Sequence, residues 1–251
     1  MAAWDLDPPV IVWLRPTADM RAFDVAEARS LLSRDERARC DQFRFERDQR
    51  DFAAAHALLR RALTLHGGLP TDYWGFETGA AGKPLLVGHP ELDFSIAHTT
   101  GLVACALSMT GVVGVDVELV GRTRDADEIA ERYFAESEIR TFRACADGFE
   151  RRTRFTELWT LKEAYLKALG SGLGDSLNAF GFEFRDQSEL RFHAPSTSGT
   201  TEWRFGLFAP SPDHRLALAV RTNNSTEVCV RTWPPEERRP PLVALRTWPQ
   251  R

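Results

Sequence analysis

The sequence predicts an α+β protein made of two similar lobes in pseudo-two-fold arrangement, each with a small antiparallel sheet and helices. Three observations carry this. Helix-period and strand-length segments come in two consecutive passes of helix, helix and strands. Strand-like apolar runs are short and separated by turn-length segments. Gly67-Gly68 and Gly170 each stand at the end of a longer helical pattern. There is no residue-by-residue repeat between the passes.

In order, Val10–Leu14 reads as a strand. Ser33-Arg34-Asp35-Glu36 is a capping-box pattern that opens a helix running to about Phe43. A longer helix is expected after Asp48 as N-cap, with Phe52, Ala55, Leu59 and Leu63 at helical spacing. Leu92–His98, Leu102–Ser108 and Val112–Leu119 follow as three strands of a meander, joined by Thr99-Thr100-Gly101 and Met109-Thr110-Gly111. The second pass predicts a short helix over Ser137–Ala146 and a longer one over about Thr156–Leu169. Strands follow around Ala179–Phe184, Trp203–Phe208 and Arg215–Val220. The expected division is an N-terminal lobe at 1–112, a C-terminal lobe at 113–225 and a tail at 226–251. With Pro234-Pro235 and Pro240-Pro241, the tail reads as irregular surface structure. Duplicated halves bury a ligand where they meet, so the motifs should converge there.

A hydrophobic content of 43% and a charged content of 27% are those of a soluble globular protein. The net charge of −4 argues against a nucleic-acid binder, which carries a basic face. The N-terminal MAAWDLDPPV lacks the pattern of a secretory signal, and no apolar run approaches the roughly 20 residues that span a bilayer. A cytoplasmic protein with no membrane partner is expected. Cys40, Cys105, Cys145 and Cys229 have no paired spacing and read as small core residues in a reducing compartment.

The sharpest chemical signal is Gly114-Val115-Asp116-Val117-Glu118. On a strand Asp116 and Glu118 share a face, roughly 6.6 Å apart along it, and can share a hard cation directly or through water. An alternating strand with a solvated polar face has the same spacing. The second signal is Trp159-Thr160-Leu161-Lys162-Glu163-Ala164-Tyr165-Leu166-Lys167. Leu158, Leu161, Tyr165 and Leu169 form one apolar stripe, and Trp159 and Leu166 a second patch. A helix apolar on two sides is covered on both, so nearby charges are paired or line a cleft. Glu163 and Lys167, four apart, share a face, as an ordinary surface ion pair would. Arginines 44, 47, 50, 60 and 61 gather around the first long helix, followed by Gly82-Lys83-Pro84, where glycine lets backbone approach a ligand and lysine offers a charge for phosphate. In Phe94-Ser95-Ile96-Ala97-His98 strand alternation puts His98 on the face of Phe94 and Ile96.

In this order and spacing, these pieces resemble the 4′-phosphopantetheinyl transferase superfamily, specifically its large, two-lobed type, which activates surfactin synthetase and lysine-pathway enzymes. The family pattern of Gly-aliphatic-Asp-aliphatic-Glu, then Trp, two residues, Lys-Glu and a second Lys, stands here at Gly114–Glu118 and Trp159–Lys167. It continues through Ala168-Leu169-Gly170-Ser171-Gly172-Leu173-Gly174, and the likeness covers roughly residues 10–220. The resemblance implies a Mg²⁺-dependent transfer of 4′-phosphopantetheine from coenzyme A (CoA) to a serine of an apo acyl or peptidyl carrier protein, releasing adenosine 3′,5′-bisphosphate. By the same resemblance the transfer would serve polyketide, nonribosomal-peptide or fatty-acid synthesis. It implies Asp116, Glu118 and Glu163 as metal ligands, and Glu163 and Lys167 as catalytic residues. CoA would be bound by Arg47, Gly82, Lys83, Pro84, Ser95, His98, Asp116, Lys162 and Lys167. Arg44 and Arg50 are close enough to take the place of Arg47. The family's Phe-Asn-x-Ser-His has Ala97 at its serine, so that hydroxyl contact is missing or is supplied by Ser95, Thr99 or Thr100. A chain holding both halves of the site is expected to act as a monomer. Two other readings use the same parts: a Mg²⁺-dependent phosphodiesterase or nuclease, and a non-catalytic module that binds CoA or carriers.

Overall fold

Two four-stranded sheets face each other, and a long helix covers the outside of each. The computed structural model describes residues 4–79, 82–146, 148–170, 177–185, 189–194, 203–222, 226–235 and 241–248. The first half runs β1 (Val10–Pro16), α1 (Ala22–Ser30), α2 (Arg34–Asp41), α3 (Glu46–Gly67), β2 (Phe76–Thr78), β3 (Pro84–Leu86), β4 (Asp93–Thr99) and β5 (Leu102–Ser108). The second runs β6 (Val113–Leu119), α4 (Ala126–Tyr133), α5 (Glu136–Ala144), α6 (Phe149–Leu169), β7 (Gly181–Phe184), β8 (Leu190–His193), β9 (Trp203–Ser211) and β10 (His214–Arg221), then β11 (Val228–Thr232) and β12 (Arg246–Trp248).

The first sheet has the order β11-β1-β5-β4 and the second β12-β9-β10-β6. Alternation sorts their side chains. Ile11, Trp13, Phe94, Val103, Cys105 and Leu107 meet Ala55, Leu58, Leu59 and Leu63 of α3. From the opposite face Val10, Val12, Leu14, Ala97, Ala104 and Ala106 meet Val113, Val115, Val117, Leu216, Leu218 and Val220 of the second sheet. Phe205, Leu207, Ala217 and Ala219 then receive Leu158, Leu161 and Tyr165 of α6. The layers are helix, sheet, sheet, helix, and the α+β class holds.

Ser33 caps α2 as its sequence pattern predicts: its hydroxyl accepts from Glu36 N at 3.2 Å, and Glu36 Oε2 accepts from Ser33 N at 2.7 Å. Gly68 and Gly170 end α3 and α6 in the left-handed region, at φ 68° and 75°. Both long helices begin earlier than expected. α3 starts at Glu46, where Glu46 and Asp48 favour the helix N-terminus by charge. The first two turns of α6 hold Glu150, Arg151, Arg152 and Arg154, good helix formers without an apolar stripe. The second patch of α6 is covered as anticipated, with Trp159 packed on Phe155 and Tyr133.

Two expectations are corrected. The three central strands are not a meander: β4 and β5 form a hairpin, but β6 belongs to the other sheet. The crossing follows Gly111, where an added Cβ would run into the Arg221 carbonyl. Nor is the tail irregular throughout. β11 pairs parallel with β1, and β12 antiparallel with β9, so both sheets are finished by residues from the tail. Valine and cysteine at 228–230 supply the apolar faces that β1 needs on that side. All four cysteines are free, three of them buried. Among the described residues no helix is long and apolar enough to cross a membrane.

Candidate active site

The site grows from the contact of β6 with α6. Val113, Val115 and Val117 enter the inter-sheet core, which leaves Gly114, Asp116 and Glu118 on the face toward α6. A Cβ at residue 114 would overlap the Ala164 carbonyl oxygen and the Ala168 nitrogen. Glycine therefore lets the helix lie directly on the strand. That approach brings Lys167 to Asp116, where Nζ donates to Oδ1 at 2.7 Å.

Asp116 is 5% exposed, and its Oδ2 is buried with no hydrogen-bond partner among the described residues. Burial pushes its carboxyl above the ordinary range, against the pull of Lys167. The Glu118 carboxyl is pushed up to about 7, first by burial and then by the charge of Asp116. It accepts a long hydrogen bond from Thr99 Oγ1 at 3.4 Å, and Arg122 Nη1 stands 3.9 Å away. Glu163 is raised for the same two reasons and has no hydrogen-bond or ion-pair partner among the described residues. Lys167 thus pairs with Asp116 rather than with its helical neighbour Glu163.

Beside these groups opens a cleft of about 300 Å³. The hairpin turn Gly82-Lys83-Pro84 and Phe94, Ser95 and Ile96 of β4 form one wall. Glu163, Leu166 and Lys167 of α6, with Gly170, form the other. Of the residues expected at the site, Gly82, Lys83, Pro84, Ser95, Glu163 and Lys167 line this cleft. Lys83 Nζ donates to Asp93 Oδ2 at 2.5 Å and to the Val113 carbonyl at 2.9 Å. Asp93 also accepts from Val113 N at 2.6 Å, and Ser95 Oγ accepts from Val115 N at 3.1 Å. Two side chains of β4 thereby satisfy donors on the open edge of β6 and tie the two sheets together. Asp93 was missed in the sequence; the question that finds it is which anion neutralises a half-buried Lys83.

Other expected residues lie elsewhere. Lys162 is not in the cleft: its side chain is fully buried, paired with Glu138 at 2.8 Å, because it leaves α6 on the side covered by α5 and β7. It was expected among the CoA contacts, but its three donor directions are taken up by Glu138 and the carbonyls of Leu177 and Phe180. Arg47 is outside the cleft walls, on the first turn of α3, with its guanidinium 5.1 Å from the Phe45 ring. His98 stands further along β4 on the face of Phe94 and Ile96, its ring 6.3 Å from that of Phe52. Crowding by its neighbours, then the Lys167 charge, holds its imidazole below the ordinary value, although the residue stays open to solvent. Ala97 is 3% exposed within the inter-sheet core. Its face of β4 turns toward the second sheet, and of that face Ser95 alone is in the cleft wall. The absent hydroxyl at 97 is therefore no loss to the cleft. Residues 171–174 of the family motif lie outside the described residues.

Among the described residues no three His, Cys, Asp or Glu side chains close up into a metal cluster. The chemistry of Asp116, Glu118 and Glu163 nonetheless fits a hard divalent cation: the donors are all carboxylate oxygens, and one buried Asp116 oxygen has no partner.

Residues 112–220 match the family model described as the 4′-phosphopantetheinyl transferase superfamily. Residues 18–110 match the one described as the N-terminal part of 4′-phosphopantetheinyl transferase. The 4′-phosphopantetheinyl transferase HetI of Nostoc is 32% identical over 67% of this chain and 71% of its own. A putative 4′-phosphopantetheinyl transferase of Synechocystis is 29% identical over 88% of this chain and 91% of its own. Sfp of Bacillus subtilis is 27% identical over 76% and 83%. The chain belongs to the 4′-phosphopantetheinyl transferase superfamily and is of its large type.

Proposed function

We propose that this transferase takes its 4′-phosphopantetheine from CoA with the help of Mg²⁺ and places it on a serine of an apo acyl or peptidyl carrier protein. Adenosine 3′,5′-bisphosphate leaves. The carrying observation is Asp116, buried at the cleft with one oxygen on Lys167 and the other unsatisfied.

Asp116, Glu118 and Glu163 would hold Mg²⁺, whose chemistry is to neutralise the pyrophosphate. The serine Oγ attacks the phosphorus that carries the pantetheine arm, and the bond from that phosphorus to the bridging oxygen breaks. Glu163, raised by burial and by Asp116, accepts the serine proton. Lys167, on the opposite cleft wall from Lys83, faces the departing phosphate and offsets its charge. Gly82, Lys83, Pro84 and Ser95 cradle the nucleotide side, His98 borders it, and Arg47 meets the ribose phosphate. We read residues 1–112 and 113–225 as the two lobes that flank this cleft, and the enzyme as a cytoplasmic monomer.

Intact-mass analysis tests this. An apo-carrier incubated with enzyme, CoA and Mg²⁺ should gain about 340 Da, one phosphopantetheine, while excess EDTA should stop the gain. Full transfer in EDTA refutes the metal ligands; no transfer to any apo-carrier refutes the reaction.

A further inference from the structure

The chain has three lysines against twenty-nine arginines. Lys83 and Lys167 line the cleft, and Lys162 stands on α6 one residue before Glu163. Lys162 uses its charge differently from the other two. Its Nζ donates to Glu138 Oε2 at 2.8 Å, to the Leu177 carbonyl at 2.7 Å and to the Phe180 carbonyl at 2.8 Å. Three acceptors match the three protons of an ammonium, so none is left for a phosphate. Glu138 is equally committed: it accepts from Ala135 N at 2.7 Å and from Phe182 N at 2.8 Å. Both side chains are fully enclosed.

A buried pair of this kind is weak grounds for net stability, because an apolar pair of similar volume often serves as well. What it adds is direction. Apolar packing sets which faces of a helix are covered but is non-directional and fixes its rotation only loosely, whereas three fixed acceptors around one nitrogen fix it closely. Glu163 and Lys167 diverge from Lys162 by roughly 100° and 140° around the helix. Holding Lys162 against α5 and β7 therefore turns them toward β6, where α6 rests on Gly114.

We propose that Lys162 is a positioning residue that, through Glu138 and the carbonyls of Leu177 and Phe180, sets the rotation of α6 and so aims Glu163 and Lys167 at the site, without touching CoA. This rests on the reading of Glu163 and Lys167 given above.

Four measurements test it, with Lys162→Met, Lys162→Arg and the pair Lys162→Met with Glu138→Gln. Lys162→Arg keeps the charge but spreads its donors over a planar fork that cannot repeat three acceptors around one nitrogen. In both single variants kcat should fall about tenfold or more, while the CoA Kd stays within about twofold of wild type. The double variant should regain part of the melting temperature lost by Lys162→Met, since no buried charge is left unpaired, but not its kcat. Acylation of the CoA-free native enzyme with an N-hydroxysuccinimide ester should label Lys167 and spare Lys162, and adding CoA should leave Lys162 just as unlabelled.

A CoA Kd raised about tenfold, or labelling of Lys162 that CoA blocks, overturns the proposal in favour of direct contact. An unchanged kcat in the folded single variants, or a kcat that recovers with stability in the double variant, reduces Lys162 to packing. Should Lys162→Met not fold, Lys162→Arg gives the same kcat and Kd readouts. A wild-type enzyme that transfers nothing refutes the functional reading instead, and the CoA-affinity and labelling arms still decide whether Lys162 touches CoA.

Discussion

Gly114→Ala adds a single methyl at the point where α6 crosses β6, and its effect can be worked from the contact. The new Cβ would overlap the Ala164 carbonyl oxygen and the Ala168 nitrogen and stand 3.0 Å from Ala168 Cβ. Two of these neighbours are helix backbone, which cannot swing aside as a side-chain tip can. To restore ordinary contacts of about 3.5–4.0 Å the helix must lift by roughly 1.5–2 Å. Overpacking of this kind costs about 1–3 kcal/mol, and rigid backbone on both sides places this case at the upper end. For a chain of this size that is a fall of roughly 6–12 °C in melting temperature. Lys167 and Glu163 ride on the same helix, and Lys167 now reaches Asp116 at 2.7 Å. A displacement of about 1 Å is enough to lower turnover by around 100-fold. Thermal melting followed by circular dichroism and the intact-mass transfer assay read the two effects separately. A variant that melts within 2 °C of wild type, on the order of the assay error, and turns over normally would show that α6 does not rest on Gly114.

Glu163→Gln keeps the shape and removes the proton acceptor, so transfer should drop at least ~100-fold with CoA still bound; near-normal turnover would end its catalytic role. Ala97→Ser places a hydroxyl in the apolar inter-sheet core, at a cost of about 1–3 kcal/mol, and should lower the melting temperature while leaving the CoA KM alone; a lower KM would mean that residue 97 faces the ligand after all. Glu118, raised from 4.5 to about 7, holds in the folded state a proton that the unfolded chain has already lost over that window. Its stabilising contribution in metal-free protein is therefore present below pH 4.5 and lost as pH rises through 7. Melting in EDTA across this range should show a decline that shrinks in Glu118→Gln, and equal declines in both proteins would refute it.

What could be read from the sequence was whatever is encoded locally. The alternation of Gly114 to Leu119 places Asp116 and Glu118 on one face, and the capping box at Ser33 marks the start of α2. The double apolar surface of α6 implies cover on both sides and charges that pair or line a cleft. Which charge does which is a tertiary matter: Lys162 finds Glu138 twenty-four residues away, while Glu163 faces the cleft. Alternation likewise separates Ala97 from Ile96 but says nothing of which face meets the cleft. α1 was missed because its segment Ala22–Ser30 buries only Ala28 and carries no apolar stripe. β6 was placed in the wrong sheet because its partner β10 lies some hundred residues further on.

The parallel pairing of β1 with β11 has a consequence for synthesis. Val10 lies against Val228, more than two hundred residues later in the chain. As the protein leaves the ribosome, β1 emerges more than two hundred residues before the neighbour it must wait for. In that interval β1 offers one unpaired edge, bearing Val10, Ile11, Val12, Trp13 and Leu14, to any other nascent strand. A chain truncated near residue 225 would keep every residue assigned to the cleft and leave that edge open permanently. Such a truncation should aggregate before it loses its chemistry, which makes β11 and β12 a requirement for solubility more than for catalysis.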